Sequence, residues 1–277
     1  MFTAEFKNNN AYISVPDGLD LPHTLDCGQA FRWEETESGV WRGTAYGKYL
    51  ELKKAEDGTL VLFNTTESDF NGIWRKYFDL DRDYNAVNAQ IGKNEILKSA
   101  AEYSSGIRIL NQEPWETLCS FIISQNNNIK RIKGIISRFC DNFGEDKGNF
   151  HAFPTAEKTA ALTLDDLAVL RSGFRAKYIL DAAQKVASGE IDLERLKAVS
   201  TDNAREELMK IKGVGPKVAD CALLFSLCHI DAFPKDVWIK RAMQALFGGE
   251  LPDEAKPYAG IAQQYIFFYA RETKLSV

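Results

Sequence analysis

No run of apolar residues in the 277-residue chain is long enough to span a bilayer. The opening MFTAEFKNNN also lacks the charged-then-apolar pattern of an export signal. Both absences exclude a helical membrane protein and lead us to expect a cytoplasmic one. Cysteine is scarce: five residues, Cys27, Cys119, Cys140, Cys221 and Cys228, odd in number and scattered, which suits reduced thiols and not a disulfide framework. Cys221 and Cys228 are the closest pair and no cysteine follows them, which argues against a four-cysteine iron–sulfur cluster near the C-terminus. A surplus of positive charge is missing as well. Against 34 Lys and Arg stand 39 Asp and Glu, a net charge of −5, so the chain does not coat nucleic acid by bulk charge. No internal repeat or low-complexity linker is found. Asp79, Asp81 and Asp83 imitate the start of a calcium loop, but Tyr84 and Gln90 stand where such a loop needs Gly and Glu.

What remains is an ordinary folded composition, 45% hydrophobic, with room for one large or two medium domains. Residues 1–85 are β-rich. Ala30–Trp33, Val40–Ala45, Tyr49–Lys53 and Thr59–Phe63 favour strands, and Ser38-Gly39, Tyr46-Gly47 and Asp57-Gly58 punctuate them as turns of an antiparallel meander. From Tyr84 the period becomes helical. Helices are predicted from Pro114 through Ile122, from Ile129 to Phe139 with Gly144 past its end, over Thr163–Ser172, Tyr178–Ser188 and Ile191–Ala198, and over Lys256–Arg271. This predicts an α+β chain: an antiparallel β-sheet domain over 1–90 packed on an all-helical core over 91–277.

Met209–Arg241 carries the densest chemistry. Asn203 and Glu206 offer an N-terminal capping pair for a first helix, with Leu208 and Ile211 on its apolar side. Gly213-Val214-Gly215-Pro216 breaks the period, and a second helix runs from Pro216 to Leu227. Amides at such a hairpin are short of partners and suit a phosphate. Lys217 falls in the first turn of that second helix, where the positive end of the dipole disfavours an ammonium. Asp236 precedes the periodic run Trp238, Ala242, Ala245, Leu246 and is a natural N-cap. Local basic residues, Lys130, Arg131, Lys133 and Arg138 in one stretch and Lys210, Lys212, Lys217, Lys235, Lys240 and Arg241 in another, allow a basic face on an acidic protein. Any one of them alone reads as a solvated helix face.

Gly213 through Cys221, followed by Phe233-Pro234-Lys235-Asp236-Val237, resembles the helix-hairpin-helix (HhH-GPD) DNA glycosylases, and their 8-oxoguanine branch closely. A GVG hairpin alone also occurs in non-catalytic DNA-binding proteins. The hairpin with Lys217, Cys221 and Asp236 in this order is far more specific. The resemblance implies a TBP-like N-terminal sheet domain, Lys217 as the nucleophile of an AP-lyase, and Asp236 as the carboxylate that steadies charge on the sugar. Cys27-Gly28-Gln29-Ala30-Phe31-Arg32-Trp33 resembles the segment whose Gly carbonyl accepts the N7–H of 8-oxoguanine, a role carried to Gly28; alone it reads as a turn glycine before a strand.

On the last helix, Gln263 matches the reader of the base's Watson–Crick edge and Phe267 the aromatic stacked on it, with Cys221 closing the other face. Some of those aromatics are core residues on any reading. Asn126 would fill the vacated space, Arg131 and Arg175 would bond the orphaned cytosine, and Phe174 would wedge beside it; helix capping and core packing are the plainer readings. Gly213, Gly215, Val218 and Trp238 would contact DNA, Trp238 replacing a His common in the family. The implied ligand is double-stranded DNA containing 8-oxoguanine, bound by a monomer that is nucleoid-associated when on DNA, if bacterial. No cofactor or iron–sulfur cluster is required; an ion on the hairpin carbonyls would be structural. The rival readings are a non-catalytic DNA-binding module, and a glycosylase for alkylated bases or adenine, branches that usually lack the Lys.

Overall fold

The computed structural model describes residues 2–15, 17–36 and 39–273. The strands are β1 (Thr3–Lys7), β2 (Asn10–Ser14), β3 (Trp33–Glu35), β4 (Trp41–Ala45), β5 (Lys48–Lys54) and β6 (Leu60–Leu62). Helices α1 (Leu21–Leu25), α2 (Glu67–Asp69), α3 (Arg75–Tyr77), α4 (Tyr84–Ile91) and α5 (Glu95–Tyr103) accompany and follow them. Then come α6 (Pro114–Ser124), α7 (Ile129–Phe143), α8 (Ala156–Ala160), α9 (Arg175–Ala187), α10 (Leu193–Leu196), α11 (Thr201–Leu208), α12 (Pro216–Ser226), α13 (Val237–Phe247) and α14 (Ala259–Glu272). The architecture is therefore a six-stranded antiparallel sheet, ordered β1-β2-β6-β5-β4-β3, followed by a helical core.

Strands β4, β5 and β6 follow the expected ones, whereas the expected strand Ala30–Trp33 is displaced: Phe31 and Arg32 form a bend and β3 begins only at Trp33. The β1–β2 hairpin escaped sequence reasoning. Its turn is Asn8-Asn9, both at positive φ (52° and 58°), a combination that asparagine tolerates better than most residues. Tyr46-Gly47 forms the same kind of turn, with φ of 52° and 68°. Ser38, half of another expected turn, lies outside the described residues.

Three helix expectations need correction. Thr163–Ser172 holds only a 3-10 turn, Asp166–Leu170, because Thr163 and Asp166 bond each other's backbone and side chain and Arg171 turns left-handed. The cap of α11 is Ser200, whose hydroxyl accepts the Asn203 N–H; Asn203 lies inside the helix. Ile211 lies beyond its end yet is buried. The last helix starts at Ala259, after a 3-10 turn over Asp253–Tyr258 that contains Pro257. Gly144 does follow α7, but at φ −72°; glycine is needed there because a Cβ would sit 2.1 Å from the Ala152 carbonyl oxygen.

Two compact units emerge: 1–43, 50–111 and 230–277 in the first, 44–49 and 112–229 in the second. These cut across the division at residue 90, since α14 packs on α5 and α13 within the first unit. Trp33, Trp74, Tyr77 and Phe78 form that unit's aromatic centre, where the Trp33 indole donates to the Tyr77 hydroxyl at 2.6 Å. Gln29 is fully buried; its amide donates to the Thr24 and Arg108 carbonyls and accepts the Leu110 N–H, which pins the segment around Gly28. In the second unit α12 packs on α6 and α11, with Phe121 stacked on Phe225.

Candidate functional site

In the second unit the hairpin follows α11. Gly213 sits at φ 78°, and a Cβ there would lie 2.3 Å from the Tyr178 ring, so both backbone angle and space demand glycine. Gly215 is extended and caps α12 with no side chain, leaving the first-turn amides to solvent or a ligand. Pro216 is the first residue of α12 and Lys217 the second. Lys217 is half-buried and pairs with no carboxylate inside its unit; its Nζ stands 5.1 Å from the centre of the Phe121 ring. The ring holds the Lys217 side chain in place without burying it against an acid. Cys221, one turn on, is buried. Val218 is buried too, so what it can offer DNA is its backbone.

The same unit carries the residues expected to invade a duplex. Asn126 is exposed at φ 46° and Phe174 is 47% exposed. Arg175, by contrast, is 3% exposed. Its guanidinium donates to the carbonyls of Gln125, Asn126 and Ser172 and lies 4.4 Å from the Phe174 ring centre. Burial and the nearby Arg131 guanidinium pull its pKa below the ordinary arginine value. In this state Arg175 clamps the Asn126 turn, and contact with an orphaned base needs those bonds exchanged. Arg131 is exposed, and its guanidinium makes long bonds, 3.5 Å to the Asn127 side-chain oxygen and 3.4 Å to the Arg171 carbonyl. An open cavity of 570 Å³ beside it is lined by Leu164, Leu167, Arg171, Phe174 and Lys177.

The first unit carries the remaining candidates. Gly28, at φ 92°, has open space where a Cβ would stand. Asp236 caps α13, its carboxylate accepting the Ile239 N–H at 2.7 Å, and is half-buried. Beside it Val237 and Trp238 are 64% and 55% exposed, an apolar pair presented to solvent. On α14, Gln263 is buried and Phe267 half-buried. Sequence reasoning placed Phe121 only within the helix predicted from Pro114 through Ile122 and missed that it faces Lys217. It also passed over Gln264 and Cys27, whose side chains bond in line with Gln263; no sequence pattern announces that contact across 237 positions. Among the described residues no group of three or more His, Cys, Asp or Glu is placed to hold a metal ion.

Residues 12–118 match the family model described as 8-oxoguanine DNA glycosylase, N-terminal domain, and residues 119–259 match that of the HhH-GPD superfamily base excision DNA repair proteins. The chain is 35% identical to the N-glycosylase/DNA lyase of Saccharomyces cerevisiae over 80% of its own length and 67% of that protein's. It is 30% identical to a probable N-glycosylase/DNA lyase of Methanothermobacter thermautotrophicus, over 95% of this chain and 97% of the other. The 8-oxoguanine glycosylase/lyase of Clostridium acetobutylicum, solved with double-stranded DNA containing cytosine opposite 8-oxoguanine, superposes with a TM-score of 0.90 at 38% identity over 99% of each chain.

Proposed function

Because the chain belongs to the HhH-GPD superfamily of base excision DNA repair proteins and carries the N-terminal domain of the 8-oxoguanine glycosylases, we propose that it is a bifunctional glycosylase that removes 8-oxoguanine from duplex DNA and then nicks the strand. The observation that carries this reading is Lys217, an amine in the first turn of a helix whose hairpin leaves its amides open, unpaired with any acid in its unit. A DNA-binding module needs the hairpin but not that amine.

The uncharged Lys217 amine attacks C1′ of the flipped nucleotide. The C1′–N9 bond breaks, and the departing base takes up its electron pair and the proton that the amine releases. Opening of the sugar at C1′–O4′, with O4′ taking a proton from water and the amine nitrogen forming the double bond to C1′, gives the protonated Schiff base. Loss of a C2′ proton then expels the 3′ phosphate by β-elimination. Asp236, fixed as a helix cap, stabilises the positive charge that develops on the sugar. Gly28 offers its carbonyl to the N7–H that guanine lacks, so guanine would leave that acceptor unpaired. Gln263 bonds the Watson–Crick edge, with Phe267 and Cys221 on the two faces of the base. Asn126 and Phe174 occupy the emptied duplex, and Arg131 bonds the orphaned cytosine. Backbone at Gly213, Gly215 and Val218, with exposed Trp238, seats the phosphates. The Ile211 carbonyl accepts the Val214 N–H at 3.0 Å, and its second lone pair would suit a cation that stiffens the hairpin without entering the reaction. On this reading the protein is a monomer that, in a bacterium, works in the cytoplasm and joins the nucleoid when bound to DNA.

Borohydride trapping on a duplex carrying 8-oxoguanine opposite cytosine tests the proposal. A covalent adduct that disappears in Lys217→Gln is the expected result. Lesion binding by the wild type with no adduct would reduce the protein to a binding module.

A further inference from the structure

Gln263 does not stand alone. Among the described residues its amide has one hydrogen-bonding partner, the neighbouring Gln264, whose Nε2 donates to the Gln263 Oε1 at 2.7 Å. Gln264 is held in turn by Cys27, whose Sγ lies 3.4 Å from its Oε1. All three side chains are at least nine-tenths buried: Cys27 6%, Gln264 6% and Gln263 4% exposed. The row thus runs from the residue preceding Gly28 to the middle of α14.

We infer that Gln264, steadied by Cys27, is a positioning residue that fixes which way round the Gln263 amide faces the flipped base, and so decides which purine edge is accepted. The inference rests on Gln263 being the reader of that edge. An amide presents a donor at one end and an acceptor at the other. Turning Gln263 over would set its Nε2 against the Gln264 Nε2, donor against donor, in a buried place where neither finds water. The guanine edge offers an acceptor at O6 beside a donor at N1–H. The adenine edge reverses this order, with a donor at N6 and an acceptor at N1. An amide locked in one order satisfies one of these edges and leaves the other with unpaired groups. Gln264 can hold its own order because the Cys27 thiol, 3.7 Å from the Thr24 carbonyl oxygen, lies nearer the Gln264 Oε1 at 3.4 Å and donates to it. Burial pushes that thiol up to about 11, so it keeps its proton at neutral pH.

The test compares 8-oxoguanine with 8-oxoadenine, each opposite cytosine in otherwise identical duplexes. Both bases carry N7–H, so the Gly28 contact is common to them and the ratio of single-turnover excision rates reads the Watson–Crick edge. Gln264→Met keeps the length and removes both polar ends. It should lower the 8-oxoguanine to 8-oxoadenine ratio by about tenfold, the scale of one misplaced hydrogen bond. A role in packing alone would slow both reactions and leave the ratio unchanged, and that result overturns the inference. Cys27→Ser, which keeps a donor, should hold the ratio, and Cys27→Ala should lower it; should Gln264→Met not fold, an unchanged ratio in Cys27→Ala overturns the inference instead. Gln263→Ala separates the two levels. If it leaves the ratio intact, Gln263 is not the reader; if it collapses the ratio while Gln264→Met does not, only the positioning role of Gln264 is lost.

Discussion

Asp236 caps α13, and a choice of substitution separates that cap from the charge-stabilising role proposed for it. Asn caps a helix about as well as Asp, whereas Ala does not. Asp236→Asn should therefore keep the melting temperature of the wild type and slow single-turnover excision by two decades or more, on the order of 3 kcal/mol of lost charge stabilisation. Asp236→Ala should add a stability loss of about 1 kcal/mol. Normal turnover in a folded Asp236→Asn protein would leave the residue as a cap only. The two arginines divide in the same way. Arg131 is exposed and loosely bonded, so Arg131→Ala should flatten the ranking of cleavage rates across four duplexes that differ only in the base opposite the lesion. For wild type, cytosine should give the fastest rate and adenine the slowest. Arg175 donates to three backbone carbonyls from a buried position, so Arg175→Ala should cost about 2–4 kcal/mol in a denaturation experiment. Unchanged stability would mean that those bonds are not held in solution. Arg131 and Arg175 read alike in the sequence, because residue type tells nothing of which guanidinium is already spent on backbone.

At the scale of the element, the hairpin before α12 offers a paired comparison. Gly213 is left-handed and crowded by Tyr178, while Gly215 is extended with nothing within 4 Å of a Cβ. Gly213→Ala should destabilise the protein by roughly 2 kcal/mol or more through strain and clash. Gly215→Ala should melt like the wild type yet bind duplex more weakly, since its methyl group would stand at the uncapped amides where phosphate is proposed to sit. Calorimetry with a titration of undamaged duplex checks both, and equal binding by Gly215→Ala would move the phosphate elsewhere. The hairpin, α12 and the cap of α13 were legible from sequence because Gly, Pro and Asp act locally. The 3-10 turn at Asp166–Leu170 was not, since its apolar spacing fits a helix and only the Thr163–Asp166 bonds and left-handed Arg171 cut it short.

The whole molecule stores several thiols and phenols that burial makes reluctant to ionise. Cys27 is raised from 9.0 to about 11, and burial likewise raises Cys119, Tyr84 and Tyr265. Each keeps its proton to higher pH when folded than when unfolded. Above pH 9 the native state therefore binds more protons, and stability falls as pH rises. Melting temperature should decline steadily above about pH 9, and Cys27→Ser should remove part of that slope. A flat alkaline profile would contradict the burial of these groups. With a net charge of −5, the chain must hold DNA through local contacts, so the logarithm of affinity should fall with the logarithm of salt at a slope of only about −3 to −5.

The sequence by itself determined the family, the strand-then-helix order, the hairpin with Lys217 in the first turn after it, and Asp236 as a helix cap. These follow from short-range rules: glycine where φ is positive, proline in a first turn, a carboxylate before a periodic run. Tertiary structure alone decided the contacts between residues far apart in the chain. It grouped α13 and α14 with the sheet-bearing segment, committed Arg175 to the Gln125–Asn126 turn, set Phe121 under Lys217, and aligned Cys27 with Gln264 and Gln263. Burial is what makes those pairings matter: a hydrogen bond away from water has no substitute, so the fold, and not the residue type, assigns each buried polar group its partner.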